Sequence, residues 1–438
     1  MADANSGQGT PAPDDSPYSS ARYRNYVLGV LTIVYAFNFI DRQLISILQE
    51  SIKRDLQLSD TQLGLLTGFA FAVFYVTAGL PIARWADRGN RRNIIAMAIG
   101  LWSFMTVISG FCANYLQLLL ARIGVGIGEA GGSPPAHSMI SDIYPPESRA
   151  TALSTYSVGI NLGIMFGFVI GGVLNEVVGW RWAFVLVGAP GILLALWIRL
   201  HIAEPVRGWA ERTAVSDTQV PMAAVVKQLG GNRALRHLFI GSALNALVGY
   251  GTVNWMAPFF IRSHAMGTAE LGIWLAVSAG VFGGIGTFLA GYLADRLGKR
   301  NRRWYLWVPA LSILLVAPFS VFILTTDNLA LALWINFIPG LLLTCYVGTG
   351  LAVIHGMVEQ RMRATGSALF YLVINIIGLG LGPTIIGAIS DHLAPELGNE
   401  SLRQALLYVL PVASVWASVH FFIGAHHLGS RGNAGTGG

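Results

Sequence analysis

The sequence predicts an all-α membrane protein of twelve transmembrane helices arranged as two pseudo-symmetric six-helix bundles. Three observations carry that expectation. The 438-residue chain is 54% hydrophobic and only 11% charged, whereas soluble domains carry about 25% charged residues. Its apolar segments, such as 94–104 and 310–324, run on without alternation, which excludes barrel strands and leaves helices as the spanning element. Finally, ARWADRGNRR at 83–92 returns as GYLADRLGKR at 291–300, placing Asp295 208 positions after Asp87.

Residues 1–24 are polar, rich in Gly, Pro, Ser and Asp, and contain no apolar core. They read as a disordered cytoplasmic tail rather than a signal peptide. An N-terminal six-helix bundle is expected over 25–201, with spans near 25–48, 61–83, 92–112, 115–143, 149–175 and 182–201. A polar cytoplasmic linker follows at 202–234. The C-terminal six-helix bundle occupies 235–428, with spans near 235–262, 269–293, 304–325, 328–358, 364–390 and 403–427, and 429–438 form a second cytoplasmic tail. Each span provides the ~20 apolar residues that crossing a bilayer requires.

The basic residues orient this topology. If the amino terminus is inside, only Lys53, Arg54, Arg181, Arg262 and Arg403 of the 28 Lys and Arg fall in outside loops, and only Arg42 and Arg122 within spans. The positive-inside rule then places both termini in the cytoplasm. The net charge of +6 is this loop bias rather than a nucleic-acid footprint. Cys112 and Cys345 sit in apolar segments and suggest no disulfide framework. Trp180, Trp182, Trp304 and Trp307 read as interfacial anchors.

The stretch AFNFIDRQLISIL, 36–48, places Asp41 beside Arg42 within the first span. A charge at bilayer depth costs about 2.5–3.5 kcal/mol on insertion scales and usually faces a bundle interior or a water-filled path. A snorkelling helix end is the plainer reading, but Ile40, Leu44, Ile45, Ile47 and Leu48 continue the apolar run past the pair. In the fourth span Arg122, Gly126, Glu129 and Ser133 fall at i, i+4, i+7 and i+11, which sets them on one helical face. Burial opposes ionisation of a carboxylate and a nearby arginine favours it. Asp41 and Glu129 are therefore the candidate proton-coupling residues: each holds an arginine when ionised and releases it to an anionic ligand when protonated. The competing interpretation is a static buried ion pair locking two helices. Arg122, two turns from Glu129, could instead meet backbone carbonyls or acids near the cytoplasmic end.

The second half has no central acid. Its spans hold Asn245, Asn254, Asn336 and Asn375, whose plainest reading is interhelical hydrogen bonding, and His355, which reads as interface packing rather than a proton relay. The sequence contains no GxSxG, HExxH or Cys/His ligand spacing, which argues against an enzyme. His426-His427 is a weak metal candidate. No GxxxxGK[ST] is present, so a proton gradient rather than a cofactor or ATP is the expected energy source.

Several motifs resemble the major facilitator superfamily. Gly291, Asp295, Arg296, Gly298, Lys299 and Arg300 are similar to its signature loop, and Asp87, Arg88, Arg91 and Arg92 form a looser first copy, with Ala83 at the opening glycine. RIGVGIGEAGGSPP resembles the family's fourth-helix motif, and Gly159, Gly163, Gly167, Gly171 and Gly172 its fifth-helix pattern, with Phe168 where antiporters have proline. NFIDRQ, GEAGGSPP and GLGLGPTIIGAISD together look most like the Spinster branch. The resemblance covers residues 22–428 and implies the major facilitator fold, alternating access, and loop motifs that lock the cytoplasmic side. It also implies a monomeric inner-membrane transporter of an amphipathic anionic lipid, a sphingosine phosphate or lysophospholipid. The alternative on the same fold is a proton-coupled carrier of small organic anions. Candidate substrate contacts are Asn38, Arg42, Arg122, Ser133 and Asn245.

Overall fold

The computed structural model describes residues 16–209, 222–359 and 362–430, which contain no strand. Most of the expected amino-terminal tail, the middle of the expected linker, and Arg212, Arg361 and Arg431 lie outside the described residues. The remainder forms twelve rods. The first six are α1 (Ala21–Leu56), α2 (Asp60–Arg88), α3 (Arg91–Ser109), α4 (115–143), α5 (Pro146–Val177) and α6 (Gly179–His201). A short helix, Met222–Gly231, precedes α7 (Arg233–His264), α8 (Thr268–Gly298), α9 (Trp304–Thr325), α10 (Leu329–Met357), α11 (363–397) and α12 (Ser401–Ser430). Nine stretches among the described residues are long and apolar enough to cross a membrane. One of these, 363–428, contains both α11 and α12; α4 is broken into shorter pieces, and α7 is diluted by Asn245, Asn254 and glycines.

The rods begin where their capping residues stand. The Asn90 side chain accepts from the backbone N–H of Asn93, Asn114 from Gln117, and Asn328 from Leu331, satisfying donors that an open helix start leaves unpaired. Ser59 and Gln62 form a reciprocal capping box at the start of α2. Pro146 opens α5, where its missing N–H costs nothing.

The structure differs from the sequence expectation at the amino terminus and in the fourth span, and adds a helix within the linker. Residues 16–24 are ordered: Pro17–Ser19 form a 3-10 turn, α1 starts at Ala21, and the buried Tyr18 hydroxyl donates to the Ala203 carbonyl. The linker holds a helix whose Val225 and Leu229 are buried. The fourth span is not continuous. It comprises Tyr115–Glu129 and Ser133–Ile143, because Pro134 and Pro135 lack the N–H groups that would bond back into the preceding turn.

Within the first bundle α5 lies along α1 through Gly159, Gly163, Gly167 and Gly171. A Cβ on Gly163 would stand 2.4 Å from the Ala36 carbonyl oxygen and 2.5 Å from the Phe39 Cβ, so only glycine permits this approach. The twelve rods place residues 16 and 430 at one face, here the terminal face; the opposite face is the distal face. Hydrogen bonds and ion pairs join the bundles in the distal half, from Thr384–Gly64 to Arg262–Glu50. These bonds seal the two bundles against each other at the distal face.

Candidate functional site

Asp41 and Arg42 are adjacent on an unbroken helix, so their side chains leave it about 100° apart. Both reach α4, at different levels. Arg122 Nη1 donates to Asp41 Oδ2 at 2.9 Å, and Arg42 Nε donates to Glu129 Oε2 at 2.7 Å. Arg122 and Glu129 are seven residues apart, a rise of roughly 10 Å, and the two neighbours on α1 bridge that distance by pointing in different directions. The result is a crossed double ion pair between α1 and α4. Thr106 of α3 completes it, its Oγ1 lying 2.6 Å from Asp41 Oδ1 and 2.9 Å from the Trp102 carbonyl.

The four charges are not equally enclosed. The side chains of Glu129, Arg122 and Asp41 are 0%, 2% and 3% exposed, whereas Arg42 retains 13%. Its guanidinium lies 5.1 Å from the Phe39 ring centroid, 4.9 Å from Phe71 and 5.0 Å from Tyr75. Such contacts favour a cation that is partly stripped of water. Within the cluster, Arg122 Nε and Glu129 Oε1 find no partner among the described residues. Glu129 is also the last residue of the first α4 piece, and the partial negative charge of a helix C-terminus favours a cation there. Arg42 supplies it.

The remaining candidates divide. Ser133 opens the second α4 piece and meets Tyr35 and Tyr156, whose rings stack 4.4 Å apart at 3°. The break at 130–132 replaces the expected single face from Arg122 to Ser133. Asn38 is buried on α1, one turn from Arg42. Asn245 is not part of the cluster: its Nδ2 donates to the Leu343 carbonyl inside the second bundle at 3.0 Å. Asn254 instead accepts from Ser46 of α1 across the bundle seam at 3.1 Å. His355 meets Ser367 of α11 at 2.7 Å. His237 and His420 approach at 2.8 Å between ring nitrogens, with His427 stacked nearby. No group of three or more His, Cys, Asp or Glu among the described residues is arranged to hold a metal ion.

Among the described residues, neither loop motif makes a hydrogen bond or ion pair to the opposite bundle. Asp87 and Arg88 are exposed and make no hydrogen bond or ion pair among the described residues. Arg91 is fully buried and turns inward, binding Asp142, Ser138, Glu204 and the Pro205 carbonyl. Arg92 bonds Glu204 and Ile202. This pair therefore staples the segment after α6 onto the α2–α3 turn. In the second copy Asp295 accepts from Tyr305, Arg296 donates to Tyr292, and Lys299 and Arg300 are exposed. Thr106, Phe71 and Tyr75 went unread in the sequence, because a threonine or an aromatic inside an apolar span carries no local mark of its partner.

The family model described as Major Facilitator Superfamily matches residues 31–423. The chain is 33% identical over 402 residues to an MFS-type efflux pump of Mycolicibacterium smegmatis, covering 90% of this chain and 91% of that one. It is 24% identical to a probable L-galactonate transporter of Escherichia coli, over 94% and 92% of the two chains. Identity is 26% to a sphingosine-1-phosphate transporter of Danio rerio, over 86% of this chain and 78% of the other. A crystal structure of a bacterial homolog of the human lysosomal transporter Spinster, inward-facing and unoccupied, superposes with a TM-score of 0.82 at 34% identity, covering 94% and 98%.

Proposed function

The chain belongs to the major facilitator superfamily, whose members are integral membrane transporters rather than enzymes, and from that premise we propose that it is a proton-coupled carrier of an amphipathic anionic lipid. The crossed pairs on α1 and α4 are the observation that supports this reading. Two buried acids hold two arginines, and protonating either acid frees its arginine for an anionic headgroup. Arg42 is the better receptor. It is the most exposed of the four charges, and its ring of Phe39, Phe71 and Tyr75 offers apolar surface beside the charge. A headgroup phosphate or carboxylate would accept from its planar fork, with the apolar part of the substrate lying on the aromatics.

In this reading the terminal face is cytoplasmic, the membrane is the bacterial inner membrane, and the carrier works as a monomer without a cofactor. The rocking of two bundles about a midplane site supplies alternating access, and the loop motifs lock the cytoplasmic side when the distal side opens. Sequence similarity to the sphingosine-1-phosphate transporter supports the lipid class. Similarity to the L-galactonate transporter favours a second reading, a small organic anion on the same arginine.

Uptake into proteoliposomes under an imposed pH gradient tests both readings, with a lysophospholipid, sphingosine phosphate and a sugar acid as substrates. Gradient-dependent uptake of the lipids but not the sugar acid is the expected result. Uptake of the sugar acid alone would replace the first reading with the second, and uptake of any substrate without proton movement would remove the coupling.

A further inference from the structure

The distal seam contains a second pseudo-symmetric device, which the repeated loop motif does not explain. The N-terminus of α2 is met by Asp391 of α11, from the other bundle: its Oδ1 accepts from the Asp60 N–H at 2.9 Å and its Oδ2 from the Thr61 N–H at 2.7 Å. The N-terminus of α8 is met by Glu176 of α5, again from the other bundle, whose Oε1 accepts from the Ala269 N–H at 2.8 Å. The helix starts correspond at the 208-residue offset of the loop motifs, Thr61 with Ala269 and Gly64 with Gly272. The capping helices correspond at 215 residues, Glu176 with Asp391. Backbone contacts repeat in the same register. A Cβ on Gly64 would stand 2.5 Å from the Pro383 carbonyl oxygen, and one on Gly272 would stand 2.4 Å from that of Phe168. Likewise Gly387 abuts the Asp60 carbonyl and Gly172 that of Thr268.

We propose that Asp391 and Glu176 are a paired latch, each acid closing the distal seam by capping a helix of the opposite bundle, so that separating the bundles removes both caps at once. A helix start presents unpaired N–H groups and a partial positive charge, which a carboxylate satisfies. Interbundle closure thereby becomes part of helix capping.

The two latches differ. On the α2 side Asp60 also binds Arg262 of α7 through both oxygens at 2.7 Å, as well as Lys53 and Ser390, and Arg262 reaches Glu50. The α2 start keeps its own Ser59–Gln62 capping box when the bundles part. The N-cap position of α8 is Gly267, which makes no side-chain cap, so the first turn depends on Glu176. Opening releases α2 as an intact helix and leaves the first turn of α8 to fray.

The inference rests on two rocking bundles but on no substrate or proton step, so the test uses neither. Spin labels at Arg54→Cys and Glu396→Cys, both exposed on the distal face of opposite bundles, report the separation in nanodiscs, with Cys112 and Cys345 replaced by alanine. Asp391→Ala should raise the distal-open to distal-closed ratio roughly fivefold, as expected for loss of a helix cap. Glu176→Ala should raise it about twofold, having one backbone bond to lose, and should also speed hydrogen exchange at 268–271. Asp391→Asn keeps one acceptor and should fall between Asp391→Ala and wild type; it is the readout if the alanine variant fails to fold. Unchanged distances in both Asp391 variants would overturn the latch. So would opening by Arg262→Gln alone, because the charge clamp would then be the whole seal.

Discussion

The cores of the two bundles are built on one pattern and filled differently. At mid-depth the first bundle holds Asp41, Arg42, Arg122 and Glu129 in two crossed pairs. The second holds Asn245 on the Leu343 carbonyl, Asn336 on Ser278 and Ser418 on the Ala310 carbonyl. Neutral interhelical bonds are worth about 0.6–2 kcal/mol in membranes and fix packing. Buried charges cost far more to leave unpaired and change state with a proton. The difference points to a division of labour in which the first bundle carries the switch and the second provides the body against which it moves.

The strongest way to break that contrast is to strand one charge. Arg122→Met leaves the Asp41 carboxylate with Thr106 as its remaining partner, and should cost about 3–5 kcal/mol of stability, read as a large fall in melting temperature in detergent. Adding Asp41→Asn should restore most of it. If the single variant melts like wild type, the pair is not the buried unit described here.

A smaller effect sharpens the role of α3. Thr106→Val removes the hydroxyl beside Asp41 while keeping the shape, and should cost about 1.5–3 kcal/mol, as hydrogen bonds to charged groups do. Thr106→Ser should recover most of the loss in the same melting assay. Arg42→Lys retains the charge but loses the planar fork and its stacking on Phe39, Phe71 and Tyr75. Substrate affinity should drop about tenfold with the fold intact, as measured by ligand-induced thermal shift. Asn245→Ala, the C-bundle control, should cost about 1 kcal/mol and leave coupled uptake in place; loss of coupling there would erase the division between the bundles.

Much of this was legible in the chain. Asp41, Arg42, Arg122 and Glu129 could be singled out because charge inside an apolar span is rare and expensive, and the 208-residue repeat exposed the two halves. Their pairing was not legible. Nothing local says that Arg122 meets Asp41 rather than a carbonyl, since that depends on how α1 and α4 cross. The break after Glu129 has its local mark in Pro134-Pro135, which the i, i+4, i+7, i+11 spacing from Arg122 to Ser133 does not register. Asp391 and Glu176 stand just past the expected ends of their spans with no local mark of a partner, and only the closed seam reveals them as caps of the opposite bundle.

The most direct measurement of the central claim is paired transport by Asp41→Asn in proteoliposomes: gradient-driven uptake, and exchange of labelled for unlabelled substrate at equal pH on both sides. The account predicts that uptake against a gradient is lost while exchange persists, because the neutral side chain no longer carries the proton step but still permits the bundles to move. Retained accumulation under the pH gradient would contradict it and reduce the crossed pairs to a structural lock between α1 and α4.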